Sequence, residues 1–146
     1  MPNIFPQSNT TVTNNIIISS TQPAYGKSPI FDFSTGEFKM VDGKVYIGEG
    51  VEVLKNWIEK TLRTERYRFP IYSFNYGVVL EELVAKDIPY ELLVNELQNQ
   101  ITDALIRDNR ITQVGNFKFA RGKDSLAIEF EVTTFDNQVI EMGVDV

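Results

Sequence analysis

The chain has 146 residues, 42% apolar and 23% charged, the size and balance of one globular domain with a core of its own. It contains neither cysteine nor histidine, which excludes disulfides, thiol nucleophiles, Cys-ligated zinc and every catalytic arrangement built on imidazole. The net charge of −6 argues against a nucleic-acid partner, and no apolar run approaches the ~20 residues of a membrane span.

Residues 1–29 are rich in Asn, Thr, Ser and Pro and carry one charged side chain, Lys27. No period in them would bury a face, so they read as an extended or flexible N-terminal arm. Its β-prone island, Ile16 to Ile18, is suited to adding a strand to a neighbour's sheet edge. Signal-peptide features are not visible, and synthesis in the bacterial cytoplasm is expected. A folded domain is expected over 30–146.

IFDFSTGEFKM alternates apolar and polar residues around Thr35-Gly36 and predicts a short hairpin. VYIG at 45–48 predicts a further strand. From Glu49 to Arg63, Leu54, Trp57, Ile58 and Leu62 fall on one stripe of a helix, with Trp57 as a core anchor.

The segment TERYRFPIYSFNYG, 64–77, holds five of the chain's 17 aromatic residues. Tyr67, Phe69 and Ile71 are odd-numbered, whereas Tyr72, Phe74 and Tyr76 are even. A strand changes faces only through a bulge or kink, and Pro70 sits beside the change, so an edge strand or extended crossing is expected. Three uses of the rings stand open: packing under the helices, a carbohydrate platform, or a protein interface. Tyr and Arg commonly carry interface energy.

Gly77 predicts a turn and VVLEELVAK a short helix. Asp87-Ile88-Pro89 then opens a helix to about Asp108, striped by Tyr90, Leu93, Val94, Leu97, Ile101, Ala104 and Leu105. Asn95, Gln98, Asn99 and Asp103 lie off the stripe. The last third predicts a three-stranded antiparallel meander: ITQVGNFKFAR, SLAIEFEVTTF and QVIEMGVDV. Leu126, Ile128, Phe130 and Val132 share one face, and Glu129, Glu131 and Thr133 the other. A three-residue Asp136-Asn137-Gln138 loop with a bulge is expected, setting Val132 opposite Met142 and Phe130 opposite Val144. Strands and helices are grouped, which predicts an α+β fold with the helices on one face of an antiparallel sheet.

No phosphate loop, dinucleotide fingerprint or metal-ligand spacing is present, so no cofactor is implied. Glu81-Glu82 point about 100° apart on a helix and do not flank one substrate. Glu129, Glu131 and Glu141 read as a solvated sheet face.

A helix ending Thr64-Glu65-Arg66, followed by aromatics and Ile71-Tyr72-Ser73-Phe74-Asn75-Tyr76-Gly77, resembles tail proteins of PBSX-like prophages. The element order over about 30–144 is similar to the wider lysozyme-like baseplate wedge family, which includes the sheath initiator of T-even phages and the corresponding type VI secretion subunit. That family's acidic-basic pair often has a Pro close by, and here Pro70 comes later. The resemblance implies a non-enzymatic structural subunit with Glu65 and Arg66 docking on the wedge core, beside the interface candidates Tyr72 and Tyr76. It implies strand pairing with the tail sheath subunit, through either the arm or the C-terminal strand with Val139, Ile140, Glu141 and Met142. Baseplate wedge subunits, with tube or hub proteins, are the other implied partners, and about six copies would ring the assembled tail. Two rivals remain. One is a tail-associated peptidoglycan glycosidase using two of Glu65, Glu81, Glu129 and Glu131, and the other is a soluble protein-binding adaptor.

Overall fold

The computed structural model describes residues 23–64, 77–78 and 85–146. The expected arm up to Gln22, the aromatic crossing 65–76 and most of the helix expected from Val78 to Lys86 lie outside the described residues.

The N-terminal part is a knot of short antiparallel pairings. Strand β1 (Lys27–Pro29) pairs with β6 (Ile47–Glu49), β2 (Phe31–Asp32) with β3 (Glu37–Phe38), and β4 (Met40–Val41) with β5 (Lys44–Val45). The pairing thus begins at Lys27, upstream of Ile30. The β2–β3 hairpin lies where alternation placed it. Asp32 Oδ1 accepts the Ser34 N–H at 2.8 Å and so shapes its loop. The β4–β5 turn is Asp42-Gly43, both with positive φ (51° and 74°), as a type I′ turn requires. Three backbone bonds close a ring where the pairings meet: Ile30 N–H to Tyr46 O, Tyr46 N–H to Lys39 O, and Lys39 N–H to Ile30 O.

Helix α1 (Val51–Arg63) starts two residues later than expected, because Gly50 has φ 66° and cannot be a helical residue. Its stripe Leu54, Ile58 and Leu62 is buried, and Trp57 is half-buried at the core's edge. Helix α2 (Tyr90–Leu105) follows Pro89, whose missing N–H costs nothing at a helix start. Leu97, Ile101, Ala104 and Leu105 are buried, while Asn95, Gln98, Asn99 and Asp103 face water. Tyr90, expected on the stripe, is exposed in the first turn under the Arg121 guanidinium.

Strands β7 (Ile111–Arg121), β8 (Leu126–Thr134) and β9 (Val139–Asp145) form the meander in that order. α1 lies against β9, α2 against β7, and the helices touch each other, so both cover one face of the sheet. Leu126, Ile128, Phe130 and Val132 meet the helical stripes in a single core. Each fully buried Leu, Ile or Phe contributes about 1.5–3 kcal/mol. The fold is α+β, as expected.

The β8–β9 register differs from expectation. Val132 pairs with Ile140 and Phe130 with Met142, two residues short of the expected partners. The loop does have three residues, but they are Phe135-Asp136-Asn137. Asn137 takes φ 61°, and its N–H reaches back to Thr134 O at 3.0 Å, a type I turn closed by a left-handed residue. Face parity survives because the slip is even.

Candidate assembly edge

Antiparallel strands alternate between residues that exchange backbone bonds and residues that do not. Leu126 and Val146 exchange both bonds, at 2.8 and 3.0 Å, which fixes the phase for the whole β8–β9 ladder. Ile140, Met142 and Val144 therefore spend their N–H and C=O groups on β8. Val139, Glu141, Gly143 and Asp145 aim theirs away from it, at the outer edge. Among the described residues no strand pairs with that edge.

The expected pairing residues thus fall into two sets. Ile140 is buried and Met142 half-buried against the core, so they hold β9 in place. Val139, 60% exposed, and Glu141 belong to the presenting set. Glu65, Arg66, Tyr72 and Tyr76 lie outside the described residues.

The sheet's other edge, β7, is unlike β9. Its register shifts twice, between Ile111 and Gln113 and between Gly115 and Lys118. At the second shift Asn116 has φ 53° and donates its amide to Glu131. Bulges of this kind spoil an edge as a template, whereas β9 pairs without a break from Val139 to Asp145.

On the solvated face Glu129 stands opposite Lys118, and Glu131 opposite Glu141. The surrounding depression is open and shallow, with Asn116, Lys118 and Gly143 on its walls.

A second feature escaped sequence reasoning because its parts are far apart in the chain. Arg110 donates to Asp108 Oδ2 at 2.7 Å and to Tyr25 O at 3.0 Å, with its guanidinium 5.5 Å from the Trp57 ring centre. Burial raises the Asp108 carboxyl, but the Arg110 hydrogen bonds and charge outweigh it and hold the group below its ordinary value. The Tyr25 ring lies 5.0 Å from Phe135, and its hydroxyl donates to Asp136 Oδ1. Bonds from Thr134, Tyr25 and Gln138 pull the Asp136 carboxyl down to about 2. Tyr25, Phe31, Phe33, Trp57 and Arg110 also line a largely aromatic groove of about 650 Å³.

Among the described residues no helix is long and apolar enough to cross a membrane. Among curated proteins the chain is similar to the phage-like element PBSX protein XkdS of Bacillus subtilis (strain 168), with 30% identity over 86 residues. That stretch is 58% of this chain and 61% of the relative, so the comparison spans less than two-thirds of the relative's length. Residues 27–137 match a family described as contractile injection system sheath initiator. The match runs from the start of β1 to the β8–β9 turn, stopping short of β9, and it covers most of the sequence: the chain belongs to the contractile injection system sheath initiator family.

Proposed function

We propose that this chain is a structural baseplate subunit of a contractile tail that seeds the sheath by lending it the outer edge of β9. The observation that carries the reading is the row of outward N–H and C=O groups at Val139, Glu141, Gly143 and Asp145. An added strand there forms several hydrogen bonds that bear load together, and alternate side chains set its register. A joint of this kind suits a sheath that must stay attached while its lattice changes. Family membership supports the sheath as partner.

In this reading the chain divides into an arm and a wedge domain, expected at 1–29 and 30–146, with β1 (Lys27–Pro29) already paired into the domain. Glu65 and Arg66, flanked by Tyr72 and Tyr76, dock on the wedge core, and about six copies form a ring. The protein, made in the cytoplasm, ends in the tail baseplate and transforms no substrate. The test is sheath growth on baseplates carrying Glu141→Pro. This change deletes one outward N–H and leaves the bonds of Ile140 and Met142 to β8 in place. Short or absent sheaths on a folded variant support the reading. Sheaths of normal length refute pairing at β9.

A further inference from the structure

Gly143 interrupts β9 within its open edge. Its φ is not positive, so the backbone does not call for glycine there. A Cβ added to it would meet only Ile128 O, at 3.8 Å, an ordinary contact, so packing does not call for glycine either. A glycine inside a strand weakens it. Where neither backbone nor packing demands one, it marks a place that another group approaches closely.

The surroundings of Gly143 say what kind of group. Gly143 stands opposite Glu129 and shares with Glu129, Glu131 and Glu141 the lining of a depression of about 240 Å³. Lys118 is the one cation on its walls. Among the described residues none of the three carboxylates is in an ion pair, and Glu131 faces Glu141 as a like charge. A cation entering from outside relieves that repulsion.

The backbone says from where it comes. Gly143 aims its N–H and C=O outward, so in an antiparallel added strand one residue stands directly opposite it, about 5.5 Å away between Cα atoms. The side chain of that residue leaves on the face where Gly143 has none. Glu129 lies a further ~4.5 Å beyond, at a pair that exchanges no bonds. With nothing on Gly143 in the way, the apolar stem of an Arg or Lys crosses β9 and sets its head among the carboxylates. A second copy of this chain is the wrong occupant, since its own β9 would add Glu141 and Asp145 to a face already negative.

We propose that the strand received by β9 carries an arginine or lysine opposite Gly143, and that the bare glycine, with Glu129, Glu131 and Glu141, is the socket for it. The proposal rests on the proposed function for the strand itself and adds the side chain that selects it.

Three synthetic peptides offered to the isolated full chain test this. One is a short strand of alternating Thr and Val with Arg at a central Thr position, and the others carry Gln or Glu at that position. Binding is read by NMR at the amides of Glu141 and Gly143. The Arg peptide should bind about 5-fold tighter than the Gln peptide, and the Glu peptide more weakly than either. High salt, or Glu129→Gln combined with Glu141→Gln, should erase the preference. Gly143→Thr should erase it too while the urea midpoint stays level or rises, which separates the socket from a merely structural role. Equal binding of all three peptides overturns the proposal and leaves strand pairing at β9 standing. A preference for Arg that survives Gly143→Thr overturns it, because the cation then sits elsewhere. Absence of binding at these amides overturns it as well, while sheath growth on Glu141→Pro baseplates decides the sheath reading separately.

Discussion

Glu131 and Glu141 stand directly opposite each other across β8 and β9, at a pair that exchanges no backbone bonds. Side chains come closest at such positions, and like charges facing there destabilise by roughly 0.2–1 kcal/mol. Glu131 also takes the Asn116 amide, whereas Glu141 stands on the edge strand β9. Glu141→Gln should therefore raise the stability of the isolated chain by about 0.5 kcal/mol, more at low salt. Urea denaturation at two ionic strengths measures it. A loss of stability would mean that Glu141 has an attractive partner.

Arg110 joins the start of β7 to the N-terminal segment and to α1. Arg110→Ala removes its bonds to Asp108 and Tyr25 and leaves a largely buried carboxylate uncompensated. Denaturant unfolding should show a loss of about 2–3 kcal/mol. Arg110→Lys should recover only part of it, because an ammonium cannot reproduce the fork that Asp108 grips. Full recovery with Lys would reduce the role to charge alone.

Asp136 gives the fold an acid dependence of defined sign. Its carboxyl falls from 3.8 to about 2 in the folded chain, chiefly through the Thr134 hydroxyl and then that of Tyr25. The folded state thus favours the ionised form. That stabilisation is complete above the unfolded value and is lost as pH falls from about 4 to about 2. Asp136→Asn should flatten this part of the stability–pH curve, leaving the slope from other carboxylates. An unchanged curve would mean that the Thr134 and Tyr25 bonds to Asp136 do not persist in solution.

Under the proposed function, Glu65 and Arg66 dock on the wedge core. Replacing both by Ala should leave the circular dichroism spectrum and unfolding midpoint nearly unchanged and abolish co-purification with wedge subunits. A collapsed spectrum would instead make the pair part of the fold.

Much of the architecture was legible because it rests on periodicity. Leu54, Ile58 and Leu62 on α1, the α2 stripe, and alternation from Leu126 to Val132 each announce a buried face. The register was not, since Phe135 extends the β8 pattern by composition. In the fold its ring goes to Tyr25, and Asn137, able to adopt positive φ, closes the turn one residue early. Asp42-Gly43 is a hairpin signal readable from the sequence, and both residues take the positive φ it requires. The edge character of β9 depends on strand order, and alternation along one strand does not encode order. The Tyr25–Arg110–Asp136 cluster joins residues more than eighty positions apart, beyond any local pattern.

The most direct test of the central claim is an electron cryo-microscopy map of the assembled tail that resolves this chain at the first sheath ring. The account predicts a sheath strand beside β9, bonded to the backbone of Val139, Glu141, Gly143 and Asp145. A chain seated at that ring with this edge facing solvent, or a tail lacking the chain altogether, would contradict it.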